Sequence, residues 1–218
     1  MAARTDTIGL LSHVAVLGYQ HPFALVKRYG TLDEASGGRV VLGVGVGSLE
    51  AEFDLLGAEF DGRGALADGA IGAIRASFGR REPQYQGSHF TISGWIVEPC
   101  GVQAHVPIWV GGRSRSLRRA VELGDGWIPF GMGLDELAVM LTGPMADAVA
   151  DRGDGFDVVL APEPPLDPLA DRTGAERTLQ AYAGIGATGL AVRVVHHTRE
   201  HYVEQLAALR VVADDVTG

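Results

Sequence analysis

The chain has 218 residues, enough for one large domain or two small ones, and its 46% hydrophobic and 21% charged residues exclude a disordered or fibrous protein. The net charge is −9 and Lys27 is the only lysine, which excludes a nucleic-acid-binding surface and a phosphate loop of the Walker type. No apolar run approaches the roughly 18 residues of a membrane span, the first residues do not resemble a signal peptide, and Cys100 is the only cysteine, so we expect a cytoplasmic protein with no membrane partner.

Short apolar segments alternate with amphipathic segments along the chain. Strands are predicted at residues 7–17, 39–46, 107–112, 126–130, 156–161 and 189–195. The first helix is predicted to begin at Pro22 and to end at Gly37-Gly38. Further helices are predicted over about residues 49–56, 66–78, 117–123, 135–150, 175–185 and 202–209. The helix at residues 135–150 should break at Pro144. Strands that are apolar on both faces and alternate with helices indicate a parallel sheet of the α/β class. We count about six such units and predict a single domain over residues 1–218.

The periodic pattern lapses between Arg80 and Val106. Residues 85–92 have the composition of a small hairpin, and an irregular arm follows them through Pro99 and His105. We interpret residues 80–106 as an insertion that follows the second strand and its helices.

Three glycines recur at every second position of the second strand. Gly43, Gly45 and Gly47 project toward one face, while Leu42 and Val44 project toward the other. The bare face has two interpretations, which the spacing does not separate: room for a flat ring near the end of the strand, or close packing by a neighbouring segment. A dinucleotide fingerprint is excluded, because it needs a glycine where Ser48 stands.

A strand runs through Gly111-Gly112 into a helix. The N–H groups of Gly112, Arg113 and Ser114 would face an anion at the helix start, Ser114 would cap the helix or donate, and Arg113 or Arg115 would add positive charge. The alternative is an ordinary strand-to-helix turn with solvated arginines. We favour a phosphate site because two glycines adjoin the arginines.

Polar residues also interrupt the first strand. Ser12 and His13 fall in its second half, where barrel enzymes place functional groups, and His13 is either a base, a ring contact or a buried structural histidine.

Two further clusters bear ionisable groups. Glu50, Glu52 and Asp54 follow the glycines and either include a proton-transfer acid or supply charge to a helix N-terminus. His197 and His201 are four residues apart, but Thr198 stands where a metalloprotease helix needs glutamate, so we predict no metal site.

Several segments occur in one order: Leu10-Leu-Ser-His-Val-Ala-Val-Leu, His21-Pro, Leu32-Asp-Glu-Ala-Ser-Gly-Gly-Arg, Leu42-Gly-Val-Gly-Val-Gly, Pro107-Ile-Trp-Val-Gly-Gly and Gly124-Asp-Gly-Trp. Together they resemble the bacterial luciferase-like monooxygenase family, above all its branch that uses the deazaflavin coenzyme F420. The resemblance runs from about residue 5 to residue 130, and more loosely from Gly189 to Leu209.

The resemblance implies a (β/α)8 TIM barrel with an insertion. It also implies a non-prolyl cis peptide at His13-Val14 and a ring of deazaflavin or FMN supported by Ser12, His13 and Val14. The turn from Gly45 through Gly47 to Ser48, called here the glycine turn, would border the ring. Gly111, Gly112, Arg113 and Ser114 would hold the cofactor phosphate. Coenzyme F420 is favoured over FMN, because the two glycine segments are more similar to that branch.

Two departures qualify the resemblance. Some hydride-transfer members carry glutamate where this chain has Ser48, and the segment at residue 5 resembles the family's third strand. We therefore expect a barrel truncated at its N-terminus to about six βα units, and we assign no catalytic residue. Because an open barrel exposes strand edges, a homodimer that covers the gap fits this expectation.

The implied function is a flavin- or deazaflavin-dependent oxidoreductase. It would transfer hydride to a small organic molecule or monooxygenate it, and the substrate is not specified by the sequence. The alternative is a non-catalytic flavin-binding protein or an inactive truncated relative.

Overall fold

The computed structural model describes residues 1–217, with side chains for residues 1–216. The chain divides into two compact units, one from Met1 to Trp127 and one from Ile128 onward. The single domain over residues 1–218, of which residue 218 lies outside the described part, stays a prediction. In the described part of the chain, no helix is long and apolar enough to cross a membrane.

The first unit alternates strands with helices. Its elements are β1 (Leu10–Leu11), β2 (Ala15–Val16), α1 (Pro22–Ser36), β3 (Val40–Gly45), α2 (Glu50–Leu56), α3 (Arg63–Ser77), β4 (Tyr85–Gln86), β5 (Thr91–Ile92), β6 (Ile108–Gly112) and α4 (Ser116–Leu123). The strands β1, β2 and β6 all run parallel to β3. This arrangement confirms the predicted parallel sheet of the α/β class.

The bounds of α1 match the prediction. Pro22 lies in its first turn, where a missing N–H costs nothing, and Nδ1 of His21 accepts a hydrogen bond from the N–H of Phe23 at 3.1 Å. Gly37 ends the helix with a φ of 69°, a left-handed conformation that glycine adopts without strain.

The first predicted strand is broken by a bulge. Leu11 pairs with Val41 and Ala15 pairs with Val44, so the three residues Ser12–Val14 face only two residues of β3. An extra residue on one strand interrupts the hydrogen-bond ladder and bends the strand. The strand predicted at residues 7–17 is therefore regular only at Leu10–Leu11 and Ala15–Val16. Its expected burial on both faces is wrong, because Leu11 is 38% exposed.

Residues 80–106 contain the predicted hairpin, and their interpretation as an insertion stays a prediction. The strands β4 and β5 make an antiparallel hairpin in which Tyr85 pairs with Ile92. The hairpin packs on α3 at Gly72, where a Cβ would lie 2.6 Å from Oη of Tyr85. Gly72 therefore lets the hairpin approach the helix closely.

The irregular arm that follows the hairpin is held by Asp33 of α1, whose exposure is 0%. Oδ2 of Asp33 accepts the N–H groups of Val102 and Gln103 at 2.8 and 3.0 Å, and Oδ1 accepts Nε2 of Gln103 at 2.7 Å. The same Nε2 donates to the carbonyl oxygen of Val40 at 2.9 Å. Because Val40 is the first residue of β3, this arm lies at the opposite end of that strand from Gly45.

The second unit continues the alternation. The strand β7 (Gly126–Pro129) spans the boundary between the units, and the later elements are α5 (Leu134–Thr142), α6 (Ala146–Ala150), β8 (Asp157–Leu160), α7 (Arg172–Gly184), β9 (Gly189–Leu190) and α8 (Arg199–Thr217). The strands β8 and β9 are parallel. Its buried core is formed by Leu166, Ala175, Leu179, Val194, Leu209 and Val212.

The element predictions for this unit hold with two refinements. The helix predicted at residues 135–150 is broken around Pro144, as expected, because α5 ends at Thr142 and α6 begins at Ala146. The strand predicted at residues 189–195 is regular only at Gly189–Leu190, and an isolated parallel bridge joins Val194 to Leu166.

Candidate functional site

The bulge presents His13 at the surface. Ser12 is held in place because its Oγ donates to the carbonyl oxygen of Gly43 at 3.0 Å and its N–H donates to that of Val41 at 3.3 Å. The peptide bond between His13 and Val14 is cis, as the resemblance implies. His13 is exposed, so the interpretation as a buried structural histidine is wrong.

The bare face of β3 is filled by the bulged strand. A Cβ at Gly43 would lie 1.8 Å from the carbonyl oxygen of Ser12, and a Cβ at Gly45 would lie 2.9 Å from Cγ2 of Val14. Real Cβ atoms do not approach other atoms so closely. Close packing by a neighbouring segment therefore explains Gly43 and Gly45, and the contact of Gly45 with a cofactor ring stays a prediction.

The glycine turn packs closely on the aromatic ring of Phe53. Gly47 has a φ of 81°, and a Cβ there would lie 2.6 Å from the ring of Phe53, whose own exposure is 0%. Nε of Arg63 donates to the carbonyl oxygen of Gly47 at 3.2 Å. The turn is therefore fixed by α2 and by the start of α3, while Ser48 is exposed.

Glu50 and Glu52 lie in the first turn of α2, which agrees with the predicted helix N-terminal charge. Glu52 has a second contact that the sequence did not indicate, because its Oε2 accepts a hydrogen bond from Oη of Tyr19.

The second predicted segment is an exposed cationic loop, the arginine loop (residues 113–115). It follows Gly112, where β6 ends with a φ of 141°, and Arg113, Ser114 and Arg115 are all exposed. The helix α4 begins at Ser116, with Arg115 in the cap position and no capping side chain. Of the two roles predicted for Ser114, capping of the helix is wrong, because Arg115 holds the cap position. Donation of a hydrogen bond to a ligand stays a prediction.

Ser116, which the sequence analysis did not single out, anchors the arginine loop to the core. Its Oγ donates to the carbonyl oxygen of Arg113 at 2.7 Å and accepts Nε1 of Trp127 at 2.8 Å, and Trp127 has an exposure of 0%. No local signal separates Ser116 from Ser114, because the partner Trp127 is eleven residues away.

The two predicted segments lie on adjacent strand ends. Val44 of β3 pairs with Val110 of β6, so Gly45 and Gly111 are the next residues along the two parallel strands. A Cβ on Gly45 would lie 4.0 Å from the carbonyl oxygen of Gly111. The structure therefore brings together the glycine turn and the start of the arginine loop at the carboxyl end of the sheet, where α/β proteins bind ligands.

Trp109 was not singled out by the sequence, yet it pairs with Gly43 and so shares the face of the glycines. Its Nε1 is buried and has no hydrogen-bond partner within the described residues. A buried donor without a partner is costly, and a ligand acceptor would remove that cost.

His196, His197 and His201 lie in the second unit, between β9 and the first turns of α8. The rings of His197 and His201 are stacked with centroids 5.4 Å apart, and Nε2 of His201 lies 3.4 Å from Nε2 of the buried Gln205. Gln205 also donates to Oδ1 of Asp167 at 2.6 Å, which is the main reason why the pKa of Asp167 is lowered. Among the side chains of residues 1–216, no group of three or more potential ligands is arranged to hold a metal ion.

The model of the luciferase-like monooxygenase family matches residues 1–210. The match covers nearly the whole chain, and the protein therefore belongs to the luciferase-like monooxygenase family.

Relatives and solved structures agree with this assignment. An uncharacterized protein of Mycobacterium tuberculosis is 29% identical over 215 residues, which cover 95% of this chain and 72% of the relative. The FMN complex of the oxygenating constituent of 3,6-diketocamphane monooxygenase, a type II Baeyer-Villiger enzyme from Pseudomonas putida, matches with a TM-score of 0.71 and 16% identity, over 99% of this chain and 80% of that one. An F420-dependent secondary alcohol dehydrogenase with an F420-acetone adduct matches with a TM-score of 0.64 and 16% identity, over 97% and 66%.

At these identities the likeness to solved structures concerns the fold. It supports the α/β fold of luciferase-like TIM-barrel enzymes. The truncation to about six βα units stays a prediction.

Proposed function

We propose that the protein is an oxidoreductase that uses coenzyme F420 to move a hydride to or from a small organic molecule, with FMN as the alternative cofactor. The observation that carries the proposal is the meeting of the glycine turn and the arginine loop at the ends of β3 and β6. Family membership and structural neighbours in complex with an F420 adduct or with FMN add support.

The residues present fit an elongated, anionic cofactor. Two exposed guanidinium groups, Arg113 and Arg115, precede the N-terminus of α4, and both features attract a phosphate. On the glycine face, Nε1 of Trp109 is a buried donor that a ring carbonyl would satisfy. Ser12, His13 and Val14 would contact the ring, and Gly45 and Gly47 would border it.

The chain's own contribution is binding and orientation. When bound, the deazaflavin would supply a ring carbon that accepts or donates a hydride. The bulge and the glycine turn are held by internal hydrogen bonds and close packing, so they would present a fixed surface to the ring. A rigid surface reduces the entropy lost when reacting groups are aligned.

Cofactor titration tests the proposal. Purified protein is titrated with coenzyme F420 and, separately, with FMN, while the absorbance and fluorescence of the cofactor are followed. We expect saturable binding of both and a lower Kd for F420. A protein that binds neither cofactor would contradict the proposal.

A second measurement separates the enzyme from a non-catalytic cofactor-binding protein. The protein loaded with reduced or oxidised F420 is incubated with panels of carbonyl compounds and alcohols, and the spectrum of the cofactor is followed. Turnover supports the oxidoreductase. Tight binding without any turnover favours the non-catalytic alternative.

We also propose that the working form is a homodimer. In the described residues β9 ends the sheet and pairs with β8, and an unpaired strand edge favours association. Size-exclusion chromatography with light scattering tests this, and a monomer at micromolar concentration would contradict it.

A further inference from the structure

Two ionisable side chains join the segments that follow β2 and β3. Tyr19 lies three residues after β2, and Glu52 lies in the first turn of α2, which follows β3. Oη of Tyr19 donates a hydrogen bond to Oε2 of Glu52. Because β2 and β3 are adjacent and parallel, the pair lies at the same end of the sheet as the glycine turn.

The tyrosine is held against the glycine turn by a buried ring. The rings of Tyr19 and Phe53 meet edge to face with centroids 4.9 Å apart, and Phe53 has an exposure of 0%. A Cβ at Gly18 or Gly47 would lie 2.7 or 2.6 Å from the ring of Phe53, so the backbone packs tightly on both sides of it. Tyr19 therefore has a fixed position beside the turn that would border the cofactor ring.

The polar ends of both residues face outward. Glu52 is exposed and Tyr19 is partly exposed, so a small molecule has access to the phenol oxygen. A structural link between two loops requires neither a phenol nor a carboxylate at the surface. The two groups form a chain of proton carriers that starts at an accessible oxygen and ends at a carboxylate.

The negative charge of Glu52 determines which way a proton moves between Tyr19 and Glu52. The hydrogen bond to Glu52, with smaller contributions from burial and from the negative charge of Glu52, raises the pKa of Tyr19 to about 12. A phenolate beside a carboxylate is unfavourable, so Tyr19 does not keep a negative charge. A proton that reaches Oη instead lets the original phenol proton move to Glu52.

We propose that Tyr19 and Glu52 form the proton-accepting pair for a substrate hydroxyl group, an inference that rests on the proposed function. The substrate is then an alcohol whose carbinol carbon bears a hydrogen. Its C–H bond breaks and the hydride, with both electrons, leaves to the oxidised deazaflavin. Its O–H bond breaks, the proton goes to Oη of Tyr19, and the phenol proton goes to Glu52. The alcohol becomes a carbonyl compound, the cofactor is reduced, and Glu52 releases the proton to water.

The experiment compares wild type with Tyr19→Phe and Glu52→Gln. Oxidised F420 is supplied with a panel of primary, secondary and cyclic alcohols, and reduction of the cofactor is followed from pH 5 to pH 9, a window of roughly two units on either side of neutrality. We expect each variant to lower kcat by roughly 10²-fold or more, with little change in the Kd for F420.

Two controls match these changes. Glu59→Gln removes one exposed carboxylate from the same unit, and Tyr202→Phe removes one phenol from the other unit. We expect both to keep kcat within about twofold of wild type, because neither group belongs to the pair.

A spectroscopic measurement needs no substrate. Ultraviolet titration of wild type minus Tyr19→Phe isolates the ionisation of Tyr19, and Glu52→Gln should lower the pKa of Tyr19 from about 12 toward its ordinary value. Tyr19 that titrates ordinarily in wild type would overturn the inference.

The possible failures are distinguishable. A protein that binds F420 but oxidises no alcohol, or a Tyr19→Phe variant with wild-type kcat and pH profile, overturns the inference and leaves the proposed function standing. A protein that binds neither F420 nor FMN overturns the proposed function, and the inference falls with it.

Discussion

The bulge and the arginine loop are both expected to contact the cofactor, but they are built in opposite ways. At the bulge, the hydroxyl group of Ser12 donates a hydrogen bond to the carbonyl oxygen of Gly43, and there is no space for a Cβ atom on Gly43. At the arginine loop, three consecutive side chains are exposed and only Ser116, behind them, is anchored in the core. The bulge therefore has a fixed shape before a ligand binds, whereas the arginine loop supplies positive charge.

This difference predicts which property each region controls. Substitutions at the bulge should change stability first and binding as a consequence, because the contacts belong to the core. Substitutions in the arginine loop should change binding with little effect on stability, because exposed side chains contribute little to folding. Four variants test the contrast.

Gly43→Ala should have the largest effect. Its Cβ would lie 1.8 Å from the carbonyl oxygen of Ser12, a backbone atom that cannot move without displacing the bulge. Overpacking of this kind costs about 3 kcal/mol of unfolding free energy or more. Urea denaturation followed by circular dichroism measures it.

Gly184→Ala is the matched control. Gly184 ends α7, and a Cβ there would meet nothing within 4 Å. We expect the free energy of unfolding to stay the same or to rise by roughly 0.5 kcal/mol. Equal effects of the two substitutions would contradict close packing at Gly43.

Ser116→Ala tests the anchor of the arginine loop. It would leave Nε1 of Trp127 without its acceptor in a position of 0% exposure and would remove the bond to the carbonyl oxygen of Arg113. An unsatisfied buried donor costs roughly 1–3 kcal/mol. Thermal unfolding measures the loss, and Ser116→Thr, which keeps the hydroxyl group, should recover part of it.

The sequence predicted where the strands and the glycine segments lie, but not which atoms they contact in the folded protein. The strands, the break at Pro144 and the two glycine segments follow from periodicity and from glycine and proline chemistry, which are local properties. Whether the glycine face would be open depended on the register between β1, β2 and β3, a tertiary property. The same holds for Ser116, because its partner Trp127 is eleven residues away.

The contact between Tyr19 and Glu52 is a clearer example of a tertiary contact that local sequence patterns do not predict. The two residues are 33 positions apart, and neither stands in a motif. Adjacency of β2 and β3 brings them together. The local pattern left Glu52 as either a proton-transfer acid or a source of helix N-terminal charge, and it gave no partner for it.

Arg113→Gln combined with Arg115→Gln should change binding and not stability. The lost charges would weaken binding of an anionic cofactor about tenfold, while the free energy of unfolding should change by less than roughly 0.5 kcal/mol. Titration at low and high salt measures it, since the wild-type advantage should shrink as salt screens the charges.

Arg118→Gln is the control for charge alone, since Arg118 lies on the exposed surface of α4 near Glu122. It should bind the cofactor like wild type. If all three arginines contribute equally, the arginine loop is not a specific phosphate site.

Ser12→Ala should destabilise the protein less than Gly43→Ala, and it tests whether the bulge contributes only to folding or also to cofactor binding. It removes the hydrogen bond from Oγ to the carbonyl oxygen of Gly43, which should cost about 1 kcal/mol of unfolding free energy. Ser48→Ala, at an exposed position of the glycine turn, should cost less than roughly 0.5 kcal/mol. If Ser12 acts only through the bulge, restoring stability with osmolyte should restore the Kd for F420. If the Kd stays raised in the fully folded variant, the hydroxyl group touches the cofactor, and the shaped region also contributes contacts of its own.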